Sequence, residues 1–301
     1  MTGLANPGKR DRLWRGTVIG LPYAWLALFF FAPFVLVLKI SLADPIIAQP
    51  PYSELLQWSE EKGYQLQASL DNFIFLFEDN LYLISYWRSI KIAFIATVLC
   101  LLLGFPMAYA IARSPQPARN VLLLLVMLPF WTSSLLQLYA WMLMLSNQGV
   151  INQLLLYLGL IDSPLRILYT NTAVYIGIVY TFLPFMVLPL YATLERLDPD
   201  LHEAAADLGA SPAQVFRDIT LPVALPGIVA GSLLVFIPAL GTYVIPAILG
   251  GLDTLMIGRT LYDEFFTNRD WPLASAVAIV LLLVLIAPIM LFQRLQQGRQ
   301  T

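Results

Sequence analysis

The sequence predicts an all-α integral membrane protein with six transmembrane helices, and three observations carry that prediction. Of 301 residues, 59% are hydrophobic and only 12% are charged, about half the charge of an ordinary soluble domain. Six apolar segments reach the roughly 20 residues that a helix needs to cross a bilayer: 17–39, 89–112, 120–146, 173–194, 224–249 and 273–293. The basic residues also fall unevenly between the connections, as they do in multi-pass proteins.

The first segment follows a basic start, Lys9, Arg10, Arg12 and Arg15. That start resembles a signal peptide, but the apolar run exceeds the 7–15 residues of a cleavable core and continues through Trp25 and Phe29 to Phe31. It reads as a retained helix behind a tail of residues 1–16. Residues 40–88 form a long connection with Pro45, Pro50 and Pro51 and the acids Glu54, Glu60, Glu61, Asp71, Glu78 and Asp79. The second segment holds the only cysteine, Cys100, which excludes an intrachain disulfide and a cysteine metal site and reads as a small core residue.

The third segment, 120–146, leads into a connection containing INQLLLYLGL, in which Leu154, Leu155 and Leu158 share one helical face. A short interfacial helix is expected there. The fourth segment ends in a polar loop, and the fifth is rich in breakers: Gly227 and Gly231 at GxxxG spacing, then Pro238, Gly241, Pro246 and Gly250. Small residues four apart allow close helix approach in lipid. Interior prolines free carbonyls that protein or water must satisfy, and interrupted helices are the sequence pointer to a transport path. Residues 250–272 then bring Gly250-Gly251, Tyr262, Asp263, Glu264, Phe265, Phe266, Asp270 and Trp271. Residues 17–294 therefore read as one membrane domain, followed by a tail of 295–301.

With the N-terminus inside, the inner segments hold ten of the 17 basic residues and seven of the 19 acids. The net charge is then +3 inside and −5 outside. Both termini are expected on the cytoplasmic side, and with them the loop around Glu203.

That loop, EAAADLGASPAQVFRDITLP from Glu203 to Pro222, is polar and helix-patterned inside a very apolar chain. Asp198-Pro199 is a sound helix start. The helix runs through Glu203, Ala204, Ala205 and Asp207 and is expected to stop at Gly209, which can take the left-handed conformation. Ser211-Pro212 begins a second helix, with Gln214 placed for a capping box. Pro222 is expected to end it and pass the chain to the fifth segment. Glu203 and Asp207, four apart, put negative charge on one face. Two short helices joined by a glycine make a compact knob.

The spacing of Glu203-Ala204-Ala205, Gly209, Ile219, Leu221 and Pro222 resembles the loop by which permeases of binding-protein-dependent ABC importers engage their ATPases. The order of helices is similar to the six-helix type I importer permease fold, with a shared module over about residues 85–290. LPYAWLALFFFAPFVLVLKISLA, LPFWTSSLLQLYAWM, NTAVYIGIVYTFLPFMVLPLYATL, VFIPALGTYVIPAILGG and MIGRTLYDEFFTNRDWPLASAVAI are similar to the polyamine permeases, above all the putrescine type. The resemblance implies coupling helices between the fourth and fifth spans, carrying Glu203 and Gly209. It implies a second, homologous permease subunit, two ATPase subunits and a periplasmic binding protein as partners, in a bacterial inner membrane. ATP and Mg²⁺ would be used by the ATPase, with no cofactor in this chain. The family pattern often has an acid where this chain has Thr242, and a neutral threonine removes a cation contact there.

A polyamine carries several ammonium charges, and a bare charge at the bilayer centre costs at least about 2.5–3.5 kcal/mol. The six segments hold almost no interior charge: Lys39 and Lys91 sit near helix ends and Glu195 at a boundary. Aromatic faces, worth about 0.5–2 kcal/mol each to a cation, suit a path that must also release it. Candidates are Trp131, Tyr139, Trp141, Tyr180, Phe182, Phe236 and Tyr243, with Thr132, Ser133, Thr181 and Thr242 as oxygen acceptors. His202 reads as an exposed loop histidine.

The chain lacks GxxxxGK[ST], HExxH and GxSxG, so P-loop, zinc-protease and serine-hydrolase chemistry have no motif here. A proton- or sodium-coupled transporter would be expected to show intramembrane carboxylates or histidines. The alternatives that stay open at this point are an importer permease for amino acids, iron complexes or sugars, and an ion-coupled secondary transporter. The charge balance gives no support to a nucleic-acid partner.

Overall fold

The structure, a computed structural model, describes residues 9–59, 63–251 and 254–297, with side chains at 17–55, 67–251 and 254–290. Residues 1–8 and 298–301 of the two expected tails lie outside the described residues. So do the side chains of Lys9, Arg10, Asp11, Arg12, Arg15, Glu60, Glu61, Arg294 and Arg299. The chain divides into two compact units, residues 1–78 with 264–280 and residues 79–263 with 281–301.

In the first unit, α1 (Lys9–Leu26) runs through a π turn at Ala27–Phe31 into α2 (Ala32–Ser41). Pro33 near the start of α2 has no amide to donate; the ladder widens there, with the Ala32 amide bonding the Ala27 carbonyl. The apolar side chains from Val18 to Phe31 are exposed, as suits a helix solvated by lipid. The connection expected at 40–88 contains structure that its composition did not reveal. A hairpin, β1 (Leu56–Ser59) and β2 (Gly63–Leu66), pairs antiparallel with Leu56 opposite Leu66. It is followed by α3 (Asp71–Glu78), whose Asn72 side-chain amide donates to the Ser41 and Ala43 carbonyls at 3.1 and 2.8 Å.

In the second unit, α4 (Asn80–Arg113) begins nine residues before the expected 89. The Asp79 carboxylate caps it, accepting from the Leu81 amide at 2.8 Å. This helix packs with α8 (Asn171–Leu194) and α11 (Leu221–Gly241) around Cys100, Met186, Val187, Leu190 and Val235, all fully buried. Cys100 is the core residue that its context predicted. The GxxxG pair allows α11 and α8 to approach closely: a Cβ on Gly231 would sit 2.8 Å from Met186 Sδ, and one on Gly227 would sit 3.1 Å from Leu190 Cα.

The third segment is not the single straight helix expected at 120–146. α5 (Gln116–Met127) ends in a 3₁₀ turn at Leu128–Trp131, Thr132 and Ser133 are extended, and α6 (Ser134–Leu145) leaves in a new direction towards α7 (Val150–Tyr157). The two arms, Gln116–Trp131 and Ser134–Tyr157, meet at 92°. Pro129 cannot donate within the helical ladder, and the Gln137 side-chain amide reaches back to the Pro129 carbonyl and the Thr132 hydroxyl, satisfying the corner. α7 is the short helix expected in the following connection. Among the described residues, five helices are long and apolar enough to span a membrane, and the bent pair makes a sixth if it is one span. After α12 (Val244–Leu249) and α13 (Ile257–Tyr262), the chain closes with α14 (Trp271–Gln297).

Candidate functional site

The loop between α8 and α11 is built by its own caps. α9 (Asp200–Asp207) starts where the Asp198 carboxylate accepts from the Asp200 amide at 3.1 Å. It ends at Gly209, whose φ of +82° is the left-handed conformation the sequence asks of a glycine. The Gly209 amide bonds Ala206 O at 2.9 Å and the Ala210 amide bonds Ala205 O at 3.0 Å, satisfying carbonyls at the helix end. α10 (Pro212–Val215) opens with the expected capping box: the Ser211 amide donates to Gln214 Oε1 at 2.7 Å, and the Gln214 amide donates to Ser211 Oγ at 3.4 Å.

Pro222 does not end this helix, contrary to expectation. A π turn at Phe216–Thr220 carries α10 directly into α11, and the Leu221 amide bonds Phe216 O. Pro222 lies inside the continuous run, directly after the π turn, and has no amide to donate to the ladder. Pro212–Gly241 is therefore one helical run of 30 residues.

Glu203, Ala204, Asp207 and Gly209 are exposed, as is Pro222, whereas Ala205, Ile219 and Leu221 are half-buried. Leu208, between the acid and the glycine, is 89% exposed. It is an apolar projection that the sequence pattern did not single out, because an isolated leucine carries no signal.

Behind the loop lies a cleft of about 450 Å³ lined by Phe105, Tyr109, His202, Val215 and Phe216, among others. His202 corrects the expectation of an exposed loop histidine. Its ring is half-buried, 2.9 and 3.2 Å from Arg113 Nη2 through its two nitrogens and 3.0 Å from Thr220 Oγ1. Burial first, and then the Arg113 guanidinium, hold its pKa below the ordinary histidine value. A second brace lies nearby: Arg119 pairs with Glu195 at 2.9 Å and donates to Ala112 O at 3.0 Å, joining the ends of α4, α5 and α8.

At the other end of the run, α11 stops at Gly241, Thr242 is extended with ψ 137°, and α12 restarts at Val244. The interruption predicted for the fifth segment is present. α13 closes against it. A Cβ on Gly258 would lie 2.7 Å from the Thr242 carbonyl oxygen, so only glycine admits this approach. The Ile257 amide donates to the buried Ser89 Oγ of α4 at 2.7 Å. Tyr262 stacks on Tyr243 with ring centroids 4.7 Å apart and planes within 6°.

Residues 100–301 match the family of binding-protein-dependent transport system inner membrane components. The chain belongs to that family. It is thus a multi-pass permease of an ABC importer, a transport subunit rather than an enzyme, and its family implies a partner permease, an ATPase and a periplasmic binding protein. It is 40% identical over 291 residues to the spermidine/putrescine transport system permease protein PotB of Salmonella typhimurium strain SL1344, covering 97% of this chain and 95% of that one. The PotB of Escherichia coli K12 is 41% identical over 269 residues, 89% and 91% of the two chains. Among solved structures, a crystal structure of a bacterial alginate ABC transporter in complex with alginate pentasaccharide-bound periplasmic protein superposes with a TM-score of 0.68. It has 21% identity and covers 94% of this chain and 93% of that one. That likeness concerns the fold.

In the permease, the aromatic residues named from sequence fall in several surroundings. Trp131, 75% exposed, lies at the corner of the third segment beside Thr132 and Ser133, and Tyr139 is exposed on α6. Tyr180 meets Trp141 edge to face at 5.4 Å. Phe236 and Phe182 are partly buried and pack against the core formed by residues such as Val174, Ile178 and Leu240. Thr181 is half-buried on α8. Tyr243 and Thr242 alone sit at the helix break. The sequence reading missed Tyr262, Arg259 and Asp263 as neighbours of that break, since only the fold brings α13 to it.

Proposed function

We propose that this permease imports polyamines, putrescine or spermidine, from periplasm to cytoplasm by ATP-driven alternating access. The observation that carries the proposal is the single helical run from Pro212 to Gly241, which joins the exposed acidic knob to the break beside Tyr243. Glu203, Ala204, Ala205, Asp207 and Gly209 form the knob that would seat in one of two ATPase subunits. Ile219, Leu221 and Pro222 anchor it to α11. The knob and both termini then face the cytoplasm, with tails at 1–16 and 295–301 around a membrane domain at 17–294, and ATP and Mg²⁺ act in the ATPase. The cargo class rests on the identity to the PotB proteins and on the aromatic, nearly charge-free spans.

Uptake of radiolabelled putrescine and spermidine into proteoliposomes holding the full transporter tests the proposal. Saturable, ATP-dependent accumulation of either is expected. Uptake of an amino acid, iron complex or sugar with none of either polyamine would contradict it. Within the path, Trp131, Tyr139, Tyr180, Phe236, Thr242 and Tyr243 are the candidate contacts. Tyr243→Ala or Trp131→Ala is expected to raise the half-saturating concentration about three- to tenfold, and unchanged uptake in both removes them from the path.

A further inference from the structure

The helix break brings together groups that belong to no motif. Counting from Leu221, the 21 residues of α11 climb about 31 Å at 1.5 Å each, a full bilayer core. Gly241 therefore lies about one bilayer core away from the start of α11, at the end of the run remote from the loop. The last carbonyls of α11 point along the helix axis at this position, and a helix C-terminus attracts cations. α13 lays its own residues over it. Tyr262 covers one face of Tyr243, leaving both rings partly exposed, 43% for Tyr243 and 37% for Tyr262. One residue on, the Asp263 carboxylate lies 3.9 Å from Arg259 Nε, and Arg259 Nη1 lies 3.5 Å from the Pro246 carbonyl of α12. Arg259 thus reaches an acid one turn further along its own helix and a carbonyl inside α12, the helix that follows the break. Both side chains of the pair are only partly covered, 31% exposed for Arg259 and 47% for Asp263.

We infer that Asp263, with the Tyr243–Tyr262 stack, forms an outer cation subsite for the primary ammonium of an alkyl diamine or polyamine, and that Arg259 is a tethered cation occupying it between transport cycles. A guanidinium and an alkylammonium compete for the two partners that Arg259 holds here, a carboxylate and a carbonyl oxygen, and the tyrosine stack offers an ammonium an aromatic face as well. At 3.9 Å and half in solvent the resident pair is loose, so an arriving ammonium displaces it at little cost. A strong central carboxylate would hold a dication too tightly to release it, whereas an acid whose own arginine returns expels it. The break supplies motion in the right place, because Thr242 and Tyr243 are the residues at which the run is not helical. This inference rests on the proposal that the cargo is a polyamine.

The experiment is a comparison of wild type with Asp263→Asn, Arg259→Gln and the double variant. Each is reconstituted as the full transporter, with saturating binding protein and a putrescine series. The wild-type arm tests the cargo class alone: no polyamine uptake there overturns the cargo proposal and the subsite with it. Given uptake, Asp263→Asn is expected to raise the half-saturating concentration about tenfold. Arg259→Gln is expected to lower it about threefold while also lowering the maximal rate, since the competing cation is gone but release is slower. A lowered half-saturation cannot come from misfolding, and it should vanish in the double variant. Unchanged half-saturation in Asp263→Asn, or an Arg259→Gln effect that survives in the double variant, overturns the subsite and leaves the polyamine cargo standing.

Discussion

The two ends of the Pro212–Gly241 run are built in opposite ways. The loop at its start is capped locally: the bonds that start and end its helices join residues within five of each other, from Asp198–Asp200 to Ser211–Gln214, while His202 ties it to Arg113 and Thr220. The break at its end is non-local, held by Ser89 of α4 bonding Ile257 and by Gly258 against the Gly241 and Thr242 carbonyls. A locally capped knob keeps its shape however the rest of the protein moves. A break whose parts come from three helices changes whenever those helices shift, which suits a gate.

The largest expected effect separates the two ends cleanly. Gly209→Asp forces a side chain into a left-handed position and adds a third acid near Glu203 and Asp207. It should lower cargo-stimulated ATP hydrolysis at least tenfold while leaving the permease in the membrane at normal level. Gly209→Asn, which tolerates that conformation without charge, should retain most of the activity; equal loss in both would assign the effect to backbone alone. Gly258→Val is expected to act at the other end only. Overpacking against the α11 carbonyls should destabilise by about 1–3 kcal/mol, read as a lower thermal midpoint and slower uptake, with binding of the ATPase unchanged. Loss of ATPase binding in that variant would show that the loop is not independent of the break.

The smallest effect is a pH dependence of the loop's docking. His202 has its pKa lowered in the folded protein, chiefly by burial and then by Arg113. The unfolded or undocked state therefore binds the proton more readily, so docking is complete above the ordinary histidine value of about 6.5 and weakens as pH falls below it. Loop protection measured by hydrogen exchange should decline from pH 7 to pH 5.5 in wild type. In His202→Gln the decline should be absent, and an equal decline there would assign it to another group.

What could be read from the chain follows the same division. Caps, the glycine stop and the apolar spans are short-range signals, and Asp198, Gly209, Ser211 and Gln214 do in the structure what their types and spacing predict. The GxxxG pair gave the close approach of α11 to α8. Features made by distant partners were not legible. His202 looked exposed because Arg113 lies 89 residues away. The corner at Pro129 depends on Gln137 folding back over it, which no pattern announces. Pro222 resembles a terminator because a proline usually marks a boundary, yet the helix runs on through the π turn before it. Asp263 and Tyr262 read as loop residues until α13 placed them at the break.

The loop and the break sit at the two ends of one helical element, the Pro212–Gly241 run. Spin labels at Gln214 and Leu234, both exposed on the run, with Cys100 replaced, measure this directly by pulsed distance spectroscopy of the assembled transporter. Twenty helical residues span about 30 Å. The same distance, within about 2 Å, is expected without nucleotide and with ATP trapped. A change of about 5 Å or more, a full helical turn, would show that the run bends or unwinds between the loop and the break and does not carry motion from one to the other.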